Sequence, residues 1–175
     1  MATPSSVSEA LGIAIRMEQE GQKFYADAAA RMEHPFGRRM FESLVSDEKR
    51  HERVFREMAE KRGVRPASAS EIDPRGPAVR VSAIFRSMAD KLSATVRPSD
   101  DDIVVLRQAM ELERAAFEFY NDTSRLTANS VEKEILRDIA GEENEHYRIL
   151  DDTLLYLTNP TEWHLKEEHP LIDGG

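Results

Sequence analysis

Glutamate and histidine residues recur in this chain in two copies of one spacing pattern, 95 residues apart. Each copy has a single Glu and, thirty residues later, a Glu-x-x-His pair. The members are Glu18, Glu48 and His51 in the first half and Glu113, Glu143 and His146 in the second. Two Glu-x-x-His pairs, with one further Glu from each of two other helices, can hold two metal ions inside a four-helix bundle. The repeat therefore predicts a dinuclear, carboxylate-bridged metal site.

Two tyrosines belong to the same repeat. Tyr25 and Tyr120 lie two helical turns after Glu18 and Glu113. From there, their hydroxyls can hydrogen-bond carboxylates across the bundle, which makes both tyrosines candidate catalytic residues. The alternative is that they fill the core and satisfy their hydroxyls elsewhere.

Other interpretations exist for each element of the pattern. A single Glu-x-x-His is usually a surface feature, and a buried Glu can act only to specify how a bundle packs. However, burying four carboxylates and two imidazoles without partners would cost several kcal/mol each. That total exceeds the net stability of a typical domain. Two divalent metal ions would neutralise the carboxylates, so the paired motifs favour metal binding.

Four segments with apolar residues at helical spacing must position these side chains. We predict helices over Val7–Met32, Phe36–Arg62, Asp100–Leu126 and Ser130–Thr158. Ser6 with Glu9 forms a capping box at the start of the first helix. Pro35 marks the start of the second helix and Gly63 its end. The last two helices have caps at Ser99 with Asp102 and at Asn129 with Glu132, and Asn159-Pro160 ends the fourth.

Short links make each successive helix pair an antiparallel hairpin. Glu18 and Glu48 each lie about fifteen residues from the bend between their helices, roughly 22 Å along the axis. Glu113 and Glu143 have the same relation in the second hairpin. All four also fall on the apolar stripe of their helix. Packing the hairpins together would bring the four carboxylates to one level.

The connection between the hairpins is long. Residues 63–77 contain three Pro, two Gly and two Ser and are typical of a loop. Residues 79–96 carry an apolar stripe that predicts a short extra helix. A connection of this length allows the third helix to start at either end of the bundle. The tail, residues 159–175, is expected to be extended and to pack on the bundle or on a neighbouring subunit, with an accessory metal site at His164 and His169 as the alternative.

Composition bounds the remaining possibilities. The 175 residues fit a single domain, residues 1–175, that is large enough to bury a core. The absence of cysteine excludes disulfides, zinc-thiolate sites and thiol catalysis. A net charge of −9 argues against nucleic-acid and anionic-membrane binding. Neither a signal peptide nor a membrane-spanning segment is evident, so a cytoplasmic location is expected.

Carboxylate-rich ligation with one imidazole per metal suits iron(II), manganese(II) or zinc. Two redox-active ions about 3.5–4 Å apart, with open coordination positions, can act together on O₂ or peroxide. Oxidant reduction at a dinuclear site is therefore the chemistry to which this ligand set is suited.

The motifs also resemble a known family. The elements Met17-Glu18…Phe24-Tyr25 and Glu48-Lys-Arg-His51, with their second-half counterparts, are similar to the ferritin-like domain of rubrerythrins over residues 7–158. The resemblance implies an all-α, ferritin-like four-helix bundle with two iron ions. It implies that Glu48 and Glu143 bridge the metals, that Glu18 and Glu113 are terminal ligands, and that His51 and His146 each complete one metal.

The resemblance also implies a function, but this chain differs from the family pattern in two respects. Rubrerythrins reduce hydrogen peroxide, and their ferritin-like relatives oxidise iron(II). Rubrerythrins typically carry a cysteine-rich rubredoxin domain, so electrons here are expected from an external donor such as a separate rubredoxin-like protein. They usually also have an extra Glu one turn after the third-helix ligand, where this chain has Ala116. Without it the site is nearly symmetric, as in a bacterioferritin ferroxidase centre.

Three hypotheses follow. The first is a diiron oxidoreductase that reduces hydrogen peroxide or O₂. The second is an iron-binding protein that serves iron storage or delivery, and the third is a structural bundle that holds zinc or no metal. A homo-oligomer, a dimer or an even-numbered larger assembly, is expected by default.

Overall fold

The computed structural model describes residue 4, residues 6–63 and residues 98–168. Within these ranges the chain forms helices α1 (Val7–Arg31), α2 (Pro35–Lys61), α3 (Pro98–Ser124), α4 (Ser130–Thr158) and α5 (Pro160–Glu168). Helices α1 and α2 pack as one hairpin, and α3 and α4 pack as another. The predicted all-α ferritin-like bundle is confirmed. The predicted extra helix over residues 79–96 lies outside the described residues.

Local sequence signals set most of the helix ends. The Ser6 side chain accepts a hydrogen bond from the backbone N–H of Glu9, at 3.2 Å, and Asn129 caps α4 by accepting from the N–H groups of Val131 and Glu132. These contacts satisfy N–H groups that have no partner inside the first helical turn. After α2, Gly63 adopts a φ of 65°, a conformation that glycine adopts without strain.

Helix α3 differs from its predicted bounds. It begins at Pro98 and ends at Ser124, two residues earlier at each end than the sequence predicted. Ser99 therefore lies inside the helix and is not its cap. Proline is favoured in the first turn because its φ is already helical and its missing N–H needs no partner there.

Part of the tail, Pro160–Glu168, is helical. Helix α5 packs against the end of α4 through Trp163, whose indole N–H donates to Oδ2 of Asp152 at 2.8 Å. The Trp163 ring also meets Tyr156 edge-on, with centroids 5.2 Å apart. One aromatic anchor therefore holds a helix too short to show a periodic apolar stripe. His164 is exposed on this helix, and His169 lies outside the described residues.

The relative direction of the hairpins follows from two contacts between α1 and α3. Tyr25 on α1 contacts Glu113 on α3, and Tyr120 on α3 contacts Glu18 on α1. Because the later residue of one helix meets the earlier residue of the other in both contacts, α1 and α3 are antiparallel. Helices α2 and α3 consequently run in the same direction, and the connection between them joins opposite ends of the bundle, as in ferritin-like folds with one long crossover.

The core forms two apolar clusters, one toward each end of the bundle. One cluster includes Leu11, Phe55 and Leu136. The other includes Phe41, Leu106 and Leu150. A layer of buried polar side chains lies between them, and it contains the candidate site.

Candidate metal centre

Each of the four long helices contributes to the buried polar layer. Helices α1 and α3 each provide one carboxylate, and α2 and α4 each provide a carboxylate and an imidazole. All six residues have a relative exposure of 5% or less, namely Glu18, Glu48, His51, Glu113, Glu143 and His146. The three-residue step in each Glu-x-x-His pair places both side chains on one helix face. The structure thus brings together all six predicted ligand residues.

The six residues form two overlapping groups of potential ligand atoms. One group, the His51 half-site, consists of Glu18, Glu48, His51 and Glu143. The other, the His146 half-site, consists of Glu48, Glu113, Glu143 and His146. Within each group the potential ligand atoms all lie within 4.8 Å of one another. Glu48 and Glu143 belong to both groups, which is the arrangement needed for two carboxylates to bridge two metals.

Both imidazoles turn the same nitrogen toward the carboxylates. Nδ1 of His51 lies 3.1 Å from Oε1 of Glu143 and 3.4 Å from Oε2 of Glu48. Nδ1 of His146 lies 3.1 Å from Oε2 of Glu143 and 3.6 Å from Oε1 of Glu113. The two rings are roughly parallel, with centroids 5.9 Å apart. Each half-site therefore has one imidazole nitrogen available as a ligand.

Two buried atoms at the centre lack hydrogen bonds. Nδ1 of His51 and Oε1 of Glu143 are enclosed, yet neither has a hydrogen-bond partner of acceptable geometry. Buried polar atoms are normally satisfied, and exceptions require a physical explanation. An imidazole nitrogen beside carboxylate oxygens is a suitable donor set for a divalent metal ion. The residues present therefore fit a di-metal site.

The protonation of the metal-free cluster reflects its burial. Burial raises the pKa of Glu18, of Glu48 and of Glu113, and the charge of Glu143 contributes in each case. For Glu143 itself, burial alone would raise the pKa, but the hydrogen bond with His146 and the close contact with the His51 ring outweigh burial and lower the pKa to about 2. Protons in the cluster thus replace part of the positive charge that metal ions would supply.

The pKa values of both imidazoles are raised, whereas burial alone would lower the pKa of a histidine. Burial favours the neutral ring, but the close carboxylates of Glu113 and Glu143 raise the pKa of His146 to about 11. Contacts with Glu143, Glu18 and Glu48 likewise raise the pKa of His51. Both rings are therefore charged at neutral pH without metal, and both must lose a proton before Nδ1 can bind a metal.

The two tyrosines contact the carboxylates that are not shared. The Tyr25 hydroxyl donates to Oε1 of Glu113 at 2.6 Å, and the Tyr120 hydroxyl donates to Oε1 of Glu18. Burial, together with the neighbouring carboxylate charge, raises the pKa of each phenol well above 10. Both hydroxyls therefore stay protonated and act as hydrogen-bond donors to the carboxylates, rather than merely filling the core.

A small cavity of about 20 Å³ lies beside the carboxylates, between α1 and α3. Gly21 and Ala116, which occupy equivalent positions in the repeat, line it together with both tyrosines. A methyl group at Gly21 would contact Cγ of Glu48 at 3.6 Å. The two small residues thus leave space next to the bridging carboxylates.

Sequence reasoning missed three residues on the other side of the imidazoles. Asp47 and Glu142 lie near the outer nitrogens of His146 and His51, respectively, and Arg50 forms ion pairs with both acids. The repeat did contain a signal, because Asp47 and Glu142 are 95 residues apart and each immediately precedes a ligand Glu.

No helix in the described ranges is both long and apolar enough to cross a membrane.

Comparison with known proteins identifies relatives at the level of family and fold. The sequence model of one family, described as Rubrerythrin, matches residues 9–154. No curated protein matches this sequence. Among solved structures, a hypothetical protein from Pyrococcus furiosus superposes with a TM-score of 0.70 at 23% identity, covering 89% of this chain and 92% of that chain. CopM in the Cu(II)-bound form superposes with a TM-score of 0.67 at 13% identity, covering 87% of this chain and 97% of that chain. At these identities the structural likeness shows the fold alone.

Proposed function

Because this chain belongs to the rubrerythrin family, we propose that it is a non-haem diiron oxidoreductase that reduces hydrogen peroxide or O₂ as iron(II) is oxidised. One observation carries the proposal. Two groups of buried ligand atoms share Glu48 and Glu143, so two metal ions bound there would be close neighbours. Each ion would have one imidazole and a majority of oxygen ligands, which suits iron(II), with manganese or zinc as possible substitutes.

A pair of adjacent iron(II) ions supplies two electrons to one oxidant molecule. Reduction of one hydrogen peroxide to two water molecules also takes two protons. The chain contributes a buried, preorganised set of carboxylates that balances the charge of the ions and limits the access of bulk water. Glu48 and Glu143 would bridge the ions, while Glu18 with His51 and Glu113 with His146 would complete one ion each.

Tyr25 and Tyr120 orient the terminal carboxylates in this proposal. Each hydroxyl donates to one oxygen of Glu113 or Glu18, which leaves the other carboxylate oxygen free to bind a metal. Both phenols also line the cavity next to the bridging carboxylates. An oxidant bound there would lie beside two hydroxyl donors, which supports a catalytic role for both tyrosines.

The cavity restricts the proposed oxidant to a very small molecule. A volume of about 20 Å³ is of the order that holds one water molecule. Hydrogen peroxide and O₂ are close to this size, whereas an organic substrate would require the helices to separate. The small side chains at Gly21 and Ala116 provide the space.

Repeated turnover needs a source of electrons. The 175 residues contain no cysteine and therefore no site for an iron–sulfur or rubredoxin-type centre. We propose that a separate rubredoxin-like protein reduces the centre between cycles. We also propose that the chain assembles as a homo-oligomer, a dimer or a larger even-numbered assembly.

The second candidate function is iron storage or delivery. The near symmetry of the two half-sites favours it, because each contains one terminal Glu, one His and the two shared carboxylates. Ala116 stands at the position where rubrerythrins usually have an additional Glu. A symmetric centre suits transient oxidation and release of iron as well as it suits catalysis.

The two functions differ in how they use the oxidant. We propose loading the protein anaerobically with two iron(II) per chain and mixing it with hydrogen peroxide or with O₂, with a reductant present in a second series. Sustained peroxide consumption with the reductant supports the oxidoreductase, with zinc-loaded protein as the redox-inactive control. Iron uptake beyond two per chain without sustained consumption would favour storage, and equal behaviour of the iron and zinc forms would contradict both.

A further inference from the structure

A single guanidinium connects the acids that face the outer sides of the two imidazoles. Nη1 of Arg50 donates to Oε1 of Glu142 at 3.1 Å, and Nη2 donates to the other oxygen, Oε2. The same Nη2 donates to Oδ1 of Asp47 at 3.0 Å. Arg50 thus holds Glu142 with two hydrogen bonds and Asp47 with one.

Each of these acids faces one imidazole nitrogen on the side away from the carboxylate cluster. Oε2 of Glu142 lies 3.1 Å from Nε2 of His51, and Oδ2 of Asp47 lies 3.5 Å from Nε2 of His146. The contacts form one path, from His51 through Glu142, Arg50 and Asp47 to His146. A carboxylate in this position accepts the outer N–H of a metal-binding histidine and fixes its orientation.

We infer that Arg50 is a positioning residue for both imidazoles and that it makes the two half-sites unequal, with the His51 half-site binding metal more tightly. This inference rests on the proposed dinuclear centre. Glu142 is fixed by two bonds and lies within hydrogen-bond distance of His51. Asp47 is fixed by one bond, and its contact with His146 is longer than a normal hydrogen bond.

The internal repeat shows that this asymmetry is a property of the sequence. Asp47 and Glu142 are equivalent positions, but the equivalent of Arg50 is Glu145. Glu145 is exposed and pairs with Arg148 at 3.0 Å along the same helix. The second half of the chain therefore supplies an acid but no arginine at these positions, and one guanidinium serves both imidazoles.

The network is suited to orient ligands rather than to stabilise the fold. The Asp47, Arg50 and Glu142 side chains are each more than a third exposed, and ion pairs with this exposure contribute little to stability. Metal affinity depends much more strongly on such contacts. Removal of a residue that hydrogen-bonds a metal ligand typically lowers the affinity about 10- to 100-fold. Substitution of Arg50 should therefore change metal binding and leave the bundle folded.

Cobalt(II) provides a direct test, because the outer N–H proton of each cobalt-bound imidazole gives a shifted, exchangeable NMR signal. The protein would be titrated with cobalt(II) while both signals and their solvent-exchange rates are recorded. Glu142→Ala and Asp47→Ala assign the signals to His51 and His146. Arg50→Met removes the guanidinium at similar length, and Arg148→Met is the control at an arginine that pairs with Glu145 instead.

Wild type is expected to bind cobalt(II) in two steps of unequal affinity. The His51 signal should appear before the His146 signal, and its N–H proton should exchange with solvent more slowly. Arg50→Met should accelerate exchange of both signals and weaken the tighter step by about tenfold or more, while Arg148→Met should match wild type. Equal behaviour of Arg50→Met and Arg148→Met, or prior appearance of the His146 signal, would overturn the inference. If Arg50→Met does not fold, Glu142→Ala must weaken the tighter step for the inference to hold. Wild type that binds fewer than two cobalt(II) ions would instead contradict the dinuclear centre itself.

Discussion

Tyr25 on α1 donates a hydrogen bond of 2.6 Å to Glu113 on α3, across the centre of the bundle. The same relation occurs in reverse between Tyr120 on α3 and Glu18 on α1. The two contacts relate the helices by an approximate twofold axis and fix the two carboxylates that belong to only one half-site each. The polar layer is thus preorganised before any metal binds.

The first prediction concerns these hydroxyls. Tyr25→Phe should weaken metal binding in the His146 half-site about tenfold, because Glu113 loses the donor that orients it. Tyr120→Phe should have the same effect in the His51 half-site through Glu18. Competition titrations with a chromophoric chelator give the affinities. Tyr156→Phe, in the aromatic contact with Trp163, is the control, and an affinity loss of equal size in this variant would show that the effect is not local.

The second prediction contrasts the two shared carboxylates. Glu48→Gln and Glu143→Gln should both abolish binding of a metal pair, because each removes a bridging ligand. In metal-free protein they should differ. The raised pKa of Glu48 shows that its charge is unfavourable in the folded state, so Glu48→Gln should leave the bundle as stable as wild type or more stable. The lowered pKa of Glu143, about 2, shows the reverse, and Glu143→Gln should cost about 1–3 kcal/mol.

Thermal and urea unfolding of the metal-free variants at pH 7 would measure this difference. Glu52→Gln offers a comparison outside the cluster, since Glu52 accepts hydrogen bonds from Gln19, Gln22 and Arg56 instead. If Glu48→Gln destabilises the metal-free protein as much as Glu143→Gln does, the assigned charge distribution is wrong.

Much of this site could be predicted from the sequence, because its determinants are local. In a regular helix, residue spacing fixes both the face and the height of a side chain, so Glu18 and Glu48 could be placed together from their distances to one turn. The direction of α3 could not be predicted, because the long connection permits either end. The role of Arg50 was also missed, because its partner Glu142 lies 92 residues away on a helix that the sequence alone does not orient.

The third prediction is that metal binding depends on pH. The pKa of His146 is raised to about 11 and that of His51 is raised as well, so both rings carry protons at pH 7 that a metal must displace. Binding of a metal pair should release about two protons or more, and the apparent affinity should increase as the pH rises from 6 to 9. Calorimetry of zinc(II) binding in buffers of different ionisation enthalpy counts the protons. Binding without proton release would contradict this assignment.

The raised pKa of His146 also makes the free energy of unfolding depend on pH. A group whose pKa is raised on folding stabilises the protein fully below its unfolded pKa, and that contribution is lost as the pH rises through the folded value. For His146 the window runs from about 6.5 to about 11. The free energy of unfolding of metal-free protein should therefore decline over this range, and the decline should be absent in the metal-loaded form, whose imidazoles are already neutral.

The fourth prediction concerns the cavity beside the site. Ala116 lines this cavity together with Glu113 and Glu143, so Ala116→Glu should place an additional carboxylate near one metal. An anionic ligand stabilises iron(III) more than iron(II), so the rate of oxidation by hydrogen peroxide should rise relative to the rate with O₂. Stopped-flow absorbance with both oxidants measures the ratio. Ala116→Gln fills the same space without the charge, and an equal ratio in both variants would show that the carboxylate is not responsible.

The central claim is that Glu48 and Glu143 hold two metals as one bridged pair. Mössbauer spectroscopy of protein loaded with two equivalents of ⁵⁷Fe(II) and then oxidised tests this claim most directly, because bridged iron(III) ions couple magnetically and isolated ions do not. We predict two irons per chain and a diamagnetic ground state at liquid-helium temperature. A spectrum of uncoupled iron(III), or a bound content of one iron per chain or less, would contradict it.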